Sequence, residues 1–246
     1  QGVAALQRYG RPGLSALEAL PQSGADLLVE LSPTSLKHGE PGLSVIAWAL
    51  ENGLDVVTAN KGPLVLAYPR LTGLAASHGR QLLFSGAVAG GLPTVNIGRR
   101  DLIAAHIQRV EGIFNTTTNY ILCRMQESGL TFDEALCEAQ KAGVAEADPT
   151  LDVDGWDATN KLIIVANSVL GMPATLQDVS VQGIRGITRE QLLAASQQSK
   201  AIKLLATAKP AGDSYRLTVQ PTELPLDHPL ARLSRWQMGV VYTSDI

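Results

Sequence analysis

The chain has 246 residues, 45% hydrophobic and 17% charged, with a formal net charge of −3. That length and apolar share suffice for one large core or two smaller ones. With no run of Lys or Arg, composition excludes nucleic acid and anionic membrane surfaces as main partners. The longest apolar stretches, about ten residues, are too short to span a bilayer, and the opening residues do not read as a secretory leader. Cys123 and Cys137 are the only cysteines. They exclude a disulfide framework and a cysteine-built metal site, and favour a reducing, cytoplasmic setting. His38, His78, His106 and His228 have no metal-ligand spacing.

QGVAALQRYG reads as the middle of a domain, and MGVVYTSDI stops inside a strand-like run, so a fragment at both ends is expected. From Ala25 to Val88 the pattern alternates in βαβαβ fashion. DLLVELS is an apolar run read as a strand, and LSVIAWALENG is a helix closing on Gly53. DVVTANK is the next strand. LVLAYPRLTGLAASHG is helical to Gly79, with Pro69 interrupting or starting it. RQLLFSGAV is the third strand. Short strands alternating with helices predict a parallel, doubly wound sheet whose ligands lie outside the carboxyl ends of the strands.

Those strand ends carry Ser32-Pro33-Thr34, Asn60-Lys61 and Ser85 to Gly91. Lys61 stands at the ligand-facing edge, between Asn60 and Gly62-Pro63, which restrict the backbone around it. The dinucleotide fingerprint G-x-G-x-x-G does not follow a first strand here. GAVAGG at 86–91 is glycine-rich but follows the wrong strand and precedes a proline.

From about Pro93 the texture changes. AAHIQRVEGIFN reads as a strand and TNYILCRMQESG as a helix. Asn115-Thr116-Thr117-Thr118 leads into it, with hydroxyls able to cap the helix or face an anion. Thr131 and Glu134 form a capping box for the next helix, which Gly143 closes. Downstream come VSVQGI, a TREQLLAASQQS helix capped by Thr188 and Gln191, and strand-like KLLATAK and YRLTVQPTEL. This order predicts a mixed or antiparallel sheet covered by helices. The expected fold is therefore α/β in two domains. Residues 1–92 are a partial Rossmann-like parallel sheet lacking its first strand and glycine-rich turn. Residues 93–246 are an α+β substrate-binding and dimerisation domain.

The densest chemistry lies between Gly143 and Lys161, GVAEADPTLDVDGWDATNK. It holds five carboxylates, Glu146, Asp148, Asp152, Asp154 and Asp157, and then Lys161; the next charged residue is Asp178. Asp157 and Lys161 are four apart and share one helix face. Such a spacing suits an exposed ion pair. Two features favour a site instead: the face continues through uncharged Ile164 and Ser168, and the carboxylates ahead crowd together, repelling one another unless a cation or amine sits among them.

This segment resembles the signature of homoserine dehydrogenases: a glycine, an acidic residue, Asp-Pro, an Asp, then Gly-x-Asp-x-x-x-Lys. VELSPT, VVTANKGPL, FSGAVAGGLPTV and GIFNTTTNYIL resemble further segments of that family, in the same order. The resemblance runs from about Ala25 to Ile246 and thins after Asp178. It implies NAD- or NADP-dependent hydride transfer between L-homoserine and L-aspartate 4-semialdehyde, in threonine and methionine biosynthesis, by a homodimer. No regulatory tail of the family is read here, as expected either of a short form without a regulatory domain or of the truncation. Desolvation lowers the pKa of a buried lysine toward working pH, which suits proton transfer at the alcohol oxygen. By resemblance, Lys161 is the proton donor and acceptor, Asp157 stands beside it, and Lys61 lies near the nicotinamide and shares the relay. Glu146, Asp152, Asp157 and Thr117 are implied to bind the amino-acid substrate. Ser32, Pro33, Thr34, Asn60 and Lys61 are implied to border the cofactor, and the carbonyls of Val88, Gly90 and Leu92 to hold sodium.

Two positions depart from the family pattern. Ser85 stands where a glutamate usually begins the glycine turn, and Thr116 replaces the glycine of an Asn-Gly-Thr segment. These changes leave open a silent dimerising homologue, or a dehydrogenase of another amino-acid semialdehyde. The residue that reads the ribose 2′ position is expected before Gln1, leaving NAD against NADP undecided.

Overall fold

The computed structural model describes residues 13–246. Chain contacts divide it into two compact units, one ending at Phe84 and the other running from Ser85 to Ile246.

In the first unit, α1 (Ala16–Ala19) precedes β1 (Leu27–Glu30), α2 (Gly42–Glu51), β2 (Asp55–Thr58), α3 (Lys61–Ser77) and β3 (Leu82–Leu83). The strands form a parallel sheet in the order β1-β2-β3, with Leu27 opposite Asp55 and Val56 opposite Leu82. Helices α2 and α3 pack together. Ile46, Ala49, Leu50, Val56, Leu64 and Leu71 are fully buried, which supplies the unit's hydrophobic stabilisation. Leu27, Val29, Leu31 and Leu83 remain exposed on the other side of the strands' alternation.

Helix α3 begins at Lys61, three residues before its apolar run, because the Asn60 side chain caps it by accepting the Gly62 amide at 3.1 Å. Gly62 is required there: a Cβ would come within 2.4 Å of the Ser35 carbonyl oxygen. Pro69 does not start the helix. The helix bends at Ala67 (φ −144°), two residues earlier, and continues through the proline. The expected third strand is much shorter than RQLLFSGAV, since only Leu82–Leu83 pairs and Ser85–Ala87 winds into a 3₁₀ turn.

The second unit contains α4 (Thr94–Asn96), β4 (Ile107–Ile113), α5 (Thr116–Ser128), α6 (Phe132–Lys141), α7 (Thr150–Val153), α8 (Trp156–Ser168), β5 (Val179–Val181), α9 (Arg189–Gln197), β6 (Lys200–Ala211), β7 (Ser214–Pro225) and β8 (Gly239–Ser244). Its sheet order is β5-β7-β6-β4-β8. Only the β5–β7 pairing is parallel, so the sheet is mixed. The two late strand-like segments are the halves of one long hairpin, paired from Lys200–Pro225 down to Ala211–Ser214, with Gly212 (φ +64°) in the turn. Helices α5, α8 and α9 pack on β6.

Helix α8 is the centre of this core. Leu162, Ile163, Ile164, Val165 and Ala166 have no exposed surface. Burial on nearly all sides explains why the run after Lys161 carries no charge. The capping boxes at Thr131/Glu134 and Thr188/Gln191 form as the spacing predicts.

Candidate active site

The site in the second unit is assembled where β4 hands over to α5 and where α7 meets α8. Gly155, the N-cap of α8, has φ +87°, a turn that glycine enters without strain. One helical turn along α8, Lys161 comes over Asp157, and the Nζ–Oδ2 distance is 2.5 Å. The same Nζ donates to the Phe114 carbonyl at 2.6 Å. The two side chains are only 12% and 13% exposed, so the bond is far better shielded than an ordinary surface pair.

Asn115 links this pair to a second carboxylate. Its Oδ1 accepts the Thr118 amide at 2.9 Å and caps α5. Its Nδ2 donates to Asp152 Oδ1 at 2.6 Å and to Asp157 Oδ2 at 2.9 Å. The amide thus exhausts its two protons on two acids and holds them side by side. Counting Lys161 against Asp152 and Asp157, the cluster carries one excess negative charge, which suits a cationic group of a ligand.

The other acids of the loop have separate duties. Asp154 pairs with Arg185 Nε at 2.5 Å. Asp148 accepts the Thr150 amide at 3.1 Å, and hydrogen bonds from Thr150 hold its carboxyl below the usual range. Glu146 is exposed. Its backbone carbonyl and that of Ala147 accept from the Gln140 amide at 3.2 and 3.3 Å, which fixes the loop.

Thr117 and Thr118 do not use their hydroxyls as caps. Thr117 donates to the Val144 carbonyl at 3.1 Å and Thr118 to the Asn115 carbonyl at 3.2 Å. Thr117 thereby ties the start of α5 to the acidic loop while itself being buried. Sequence reading missed the central position of Asn115 and the Phe114 carbonyl. An Asn before a helix marked the cap, but its acids lie 37 and 42 residues away, beyond any local pattern.

In the first unit, the carboxyl ends of β1 and β2 converge on a buried acid, Glu30, 4% exposed. Thr58 donates to its Oε2 at 2.9 Å, the Ser32 amide to its Oε1 at 2.8 Å, and the Ser32 hydroxyl also to Oε1. Asn60 Nδ2 reaches Ser32 Oγ at 3.3 Å. Ser32 and Asn60 are therefore brought together, whereas Pro33 and Thr34 lie on the exposed stretch beyond. Lys61 is half-buried at the first position of α3. Glu30 was missed because a glutamate ending an apolar strand reads as a solvated residue.

In the turn after Phe84, Ala89 (φ +56°) and Gly90 (φ +58°) adopt left-handed conformations. The Leu92 carbonyl accepts the Thr94 amide at 2.7 Å. Among the described residues no cluster of three or more His, Cys, Asp or Glu could hold a metal ion. None of their helices is long and apolar enough to cross a membrane.

The family model of homoserine dehydrogenase matches residues 93–246. A homoserine dehydrogenase of Methanocaldococcus jannaschii is 41% identical over 227 residues, 92% of this chain and 66% of that protein. An NAD(+)-dependent homoserine dehydrogenase of Pseudomonas canavaninivorans is 39% identical over 224 residues, 91% of this chain and 63% of that protein. The structure of a hyperthermophilic archaeal homoserine dehydrogenase in complex with NADPH superimposes with a TM-score of 0.83 at 26% identity, covering 99% of this chain and 69% of that one. The chain thus spans just under two thirds of the length of the two curated relatives.

Proposed function

The chain belongs to the homoserine dehydrogenase family, and on that premise we propose that it serves NAD(P)-dependent hydride transfer between L-homoserine and L-aspartate 4-semialdehyde. The observation that carries the proposal is the Lys161 amine held between Asp157 and the Phe114 carbonyl, with Asp152 alongside. The two hydrogen bonds fix the amine's position, as a general acid or base requires.

When bound, the nicotinamide supplies or accepts the hydride. In the proposal, Lys161 gives or takes the proton at the substrate's alcohol oxygen. Asp157 orients Lys161 and, with Asp152 and Glu146, attracts the substrate's α-ammonium group. Thr117 fixes the floor of that pocket through Val144. Lys61 is retained as a second lysine of the reaction on the resemblance alone. Ser32, Pro33, Thr34, Asn60 and Lys61 stand at the carboxyl ends of parallel strands, where such folds receive a dinucleotide. The close approach of Gly62 to Ser35 keeps that rim tight. NAD and NADP both remain candidates, the relatives including an NAD(+)-dependent enzyme and one bound to NADPH.

The carbonyls of Val88, Gly90 and Leu92 are kept as a sodium site on the resemblance alone; the Leu92 carbonyl also accepts the Thr94 amide, and Ser85 stands in place of an acid. No step is routed through a cation. The proposal also keeps a homodimer built on the second unit, a cytoplasmic setting and a domain boundary near residue 92; sedimentation tests the first. The function itself is tested by following NAD(P)H formation from L-homoserine with each cofactor. Turnover with at least one supports it; none with either, in protein that retains its fold, refutes it.

A further inference from the structure

Outside the acidic site, the second unit buries an amine against a thiol. Lys203 on β6 is 3% exposed, and Cys123 on α5 is 7% exposed. Lys203 Nζ lies 2.8 Å from Asn119 Oδ1, 2.6 Å from the Leu233 carbonyl oxygen and 3.3 Å from Cys123 Sγ. The sulfur in turn lies 3.8 Å from both of those oxygens. Two of the three acceptors around the amine are neutral amide oxygens and the third is the thiol. Burying an amine this way costs free energy that a carboxylate partner would offset; of its three hydrogen-bond partners only the thiol is ionisable. A hollow of about 370 Å³, lined by Cys123, Lys203, Gln126, Ser196 and Ser234, adjoins the pair. It is roomy enough to admit a diatomic oxidant, given that a water molecule takes up about 30 Å³.

We propose that Cys123 and Lys203 form an oxidisable pair that closes a covalent N–O–S cross-link between α5 and β6. The co-reactant is dioxygen. The thiol loses its S–H bond and the amine, once it has released its ammonium proton, one N–H bond. One oxygen atom forms new bonds to sulfur and nitrogen, while the other leaves as water with the two hydrogens. Sulfur and nitrogen each give up two electrons, and dioxygen takes all four. A single bridging oxygen suits a pair already 3.3 Å apart, whereas a direct S–N bond would require the two atoms to close much further. Cys137, by contrast, is exposed on α6.

The link would join positions 80 residues apart, and such a cross-link restricts the unfolded chain. It would also pin the helix that Asn115 caps. The test uses the Cys137→Ser protein, incubated in air-saturated buffer and then split into untreated and dithiothreitol-treated portions. Peptide mass spectrometry should find the peptides of Cys123 and Lys203 joined, with one oxygen gained and two hydrogens lost, and separated again by the reductant. The thermal midpoint should rise on oxidation, return on reduction and stay unresponsive in the additional Cys123→Ser variant. Complete alkylation of Cys123 after oxidation overturns the proposal. So does a sulfenic acid with Lys203 unmodified, or a joined pair lacking the added oxygen.

Discussion

Replacing Asn115 by Asp preserves the cap of α5 but turns a donor between two acids into a third acid. Asp caps a helix as well as Asn does, so the Thr118 bond of 2.9 Å survives. The two bonds to Asp152 and Asp157, at 2.6 and 2.9 Å, do not. Carboxylates about 3 Å apart repel by about 5 kcal/mol per pair at an effective dielectric of about 20. Protonating one from an ordinary pKa at pH 7 costs about 4 kcal/mol. The variant should therefore take up a proton in the folded state, regain one hydrogen bond and lose the other, worth about 1.5–3 kcal/mol. The net loss at pH 7 is about 6 kcal/mol.

A carboxyl whose folded pKa is raised loses stability as pH climbs above its unfolded value, by about 1.4 kcal/mol per unit. Urea unfolding at pH 5, 6 and 7 should show the penalty of Asn115→Asp growing with pH. Asn115→Ser keeps a cap and adds no charge, so it should lose about 3 kcal/mol for two charged hydrogen bonds, with no such slope. Parallel pH dependence of the two variants would refute the convergence of both acids on Asn115.

Gly112→Ala should cost at least about 2 kcal/mol by overpacking, because its Cβ would fall 2.3 Å from the Phe114 ring; unfolding and turnover should both suffer, since Phe114 also positions Lys161. Asp157→Ala should put a large part of its defect into the KM for homoserine, as it removes ground-state as well as transition-state binding; initial rates across substrate concentrations check this. Hydrogen bonds from Arg124 and then Tyr120 hold the Glu138 carboxyl below its ordinary 4.5. Its contribution is therefore present above about 4.5 and lost as pH falls through the folded value, so Glu138→Gln should destabilise at pH 7 and flatten the acid limb of unfolding.

Periodicity exposed those parts of the fold whose physics is local. Capping boxes, closing glycines and the alternation of strands with helices were legible, as was the Asp157–Lys161 pair, because a helix brings residues four apart together. The third strand was overread because an apolar run does not reveal that its chain winds into a 3₁₀ turn over Ser85–Ala87, with positive φ next at Ala89 and Gly90. The start of α3 was set three residues late because Asn60 supplies the cap ahead of the apolar pattern. At the acidic site the sequence placed the acids and the lysine, but not the amide that gathers them. Glu30 escaped for the same reason, its partners Thr58 and Asn60 standing 28 and 30 residues away.

The central claim is that the Lys161 amine moves the proton in homoserine oxidation. Lys161→Ala, assayed at saturating homoserine and cofactor, tests it most directly. The account predicts a fall in kcat of about 10²–10⁴, the range for a lost general acid or base, with cofactor affinity little changed in protein that is still folded. Turnover within about threefold of the unaltered protein, a change of under 1 kcal/mol in the barrier, would contradict it.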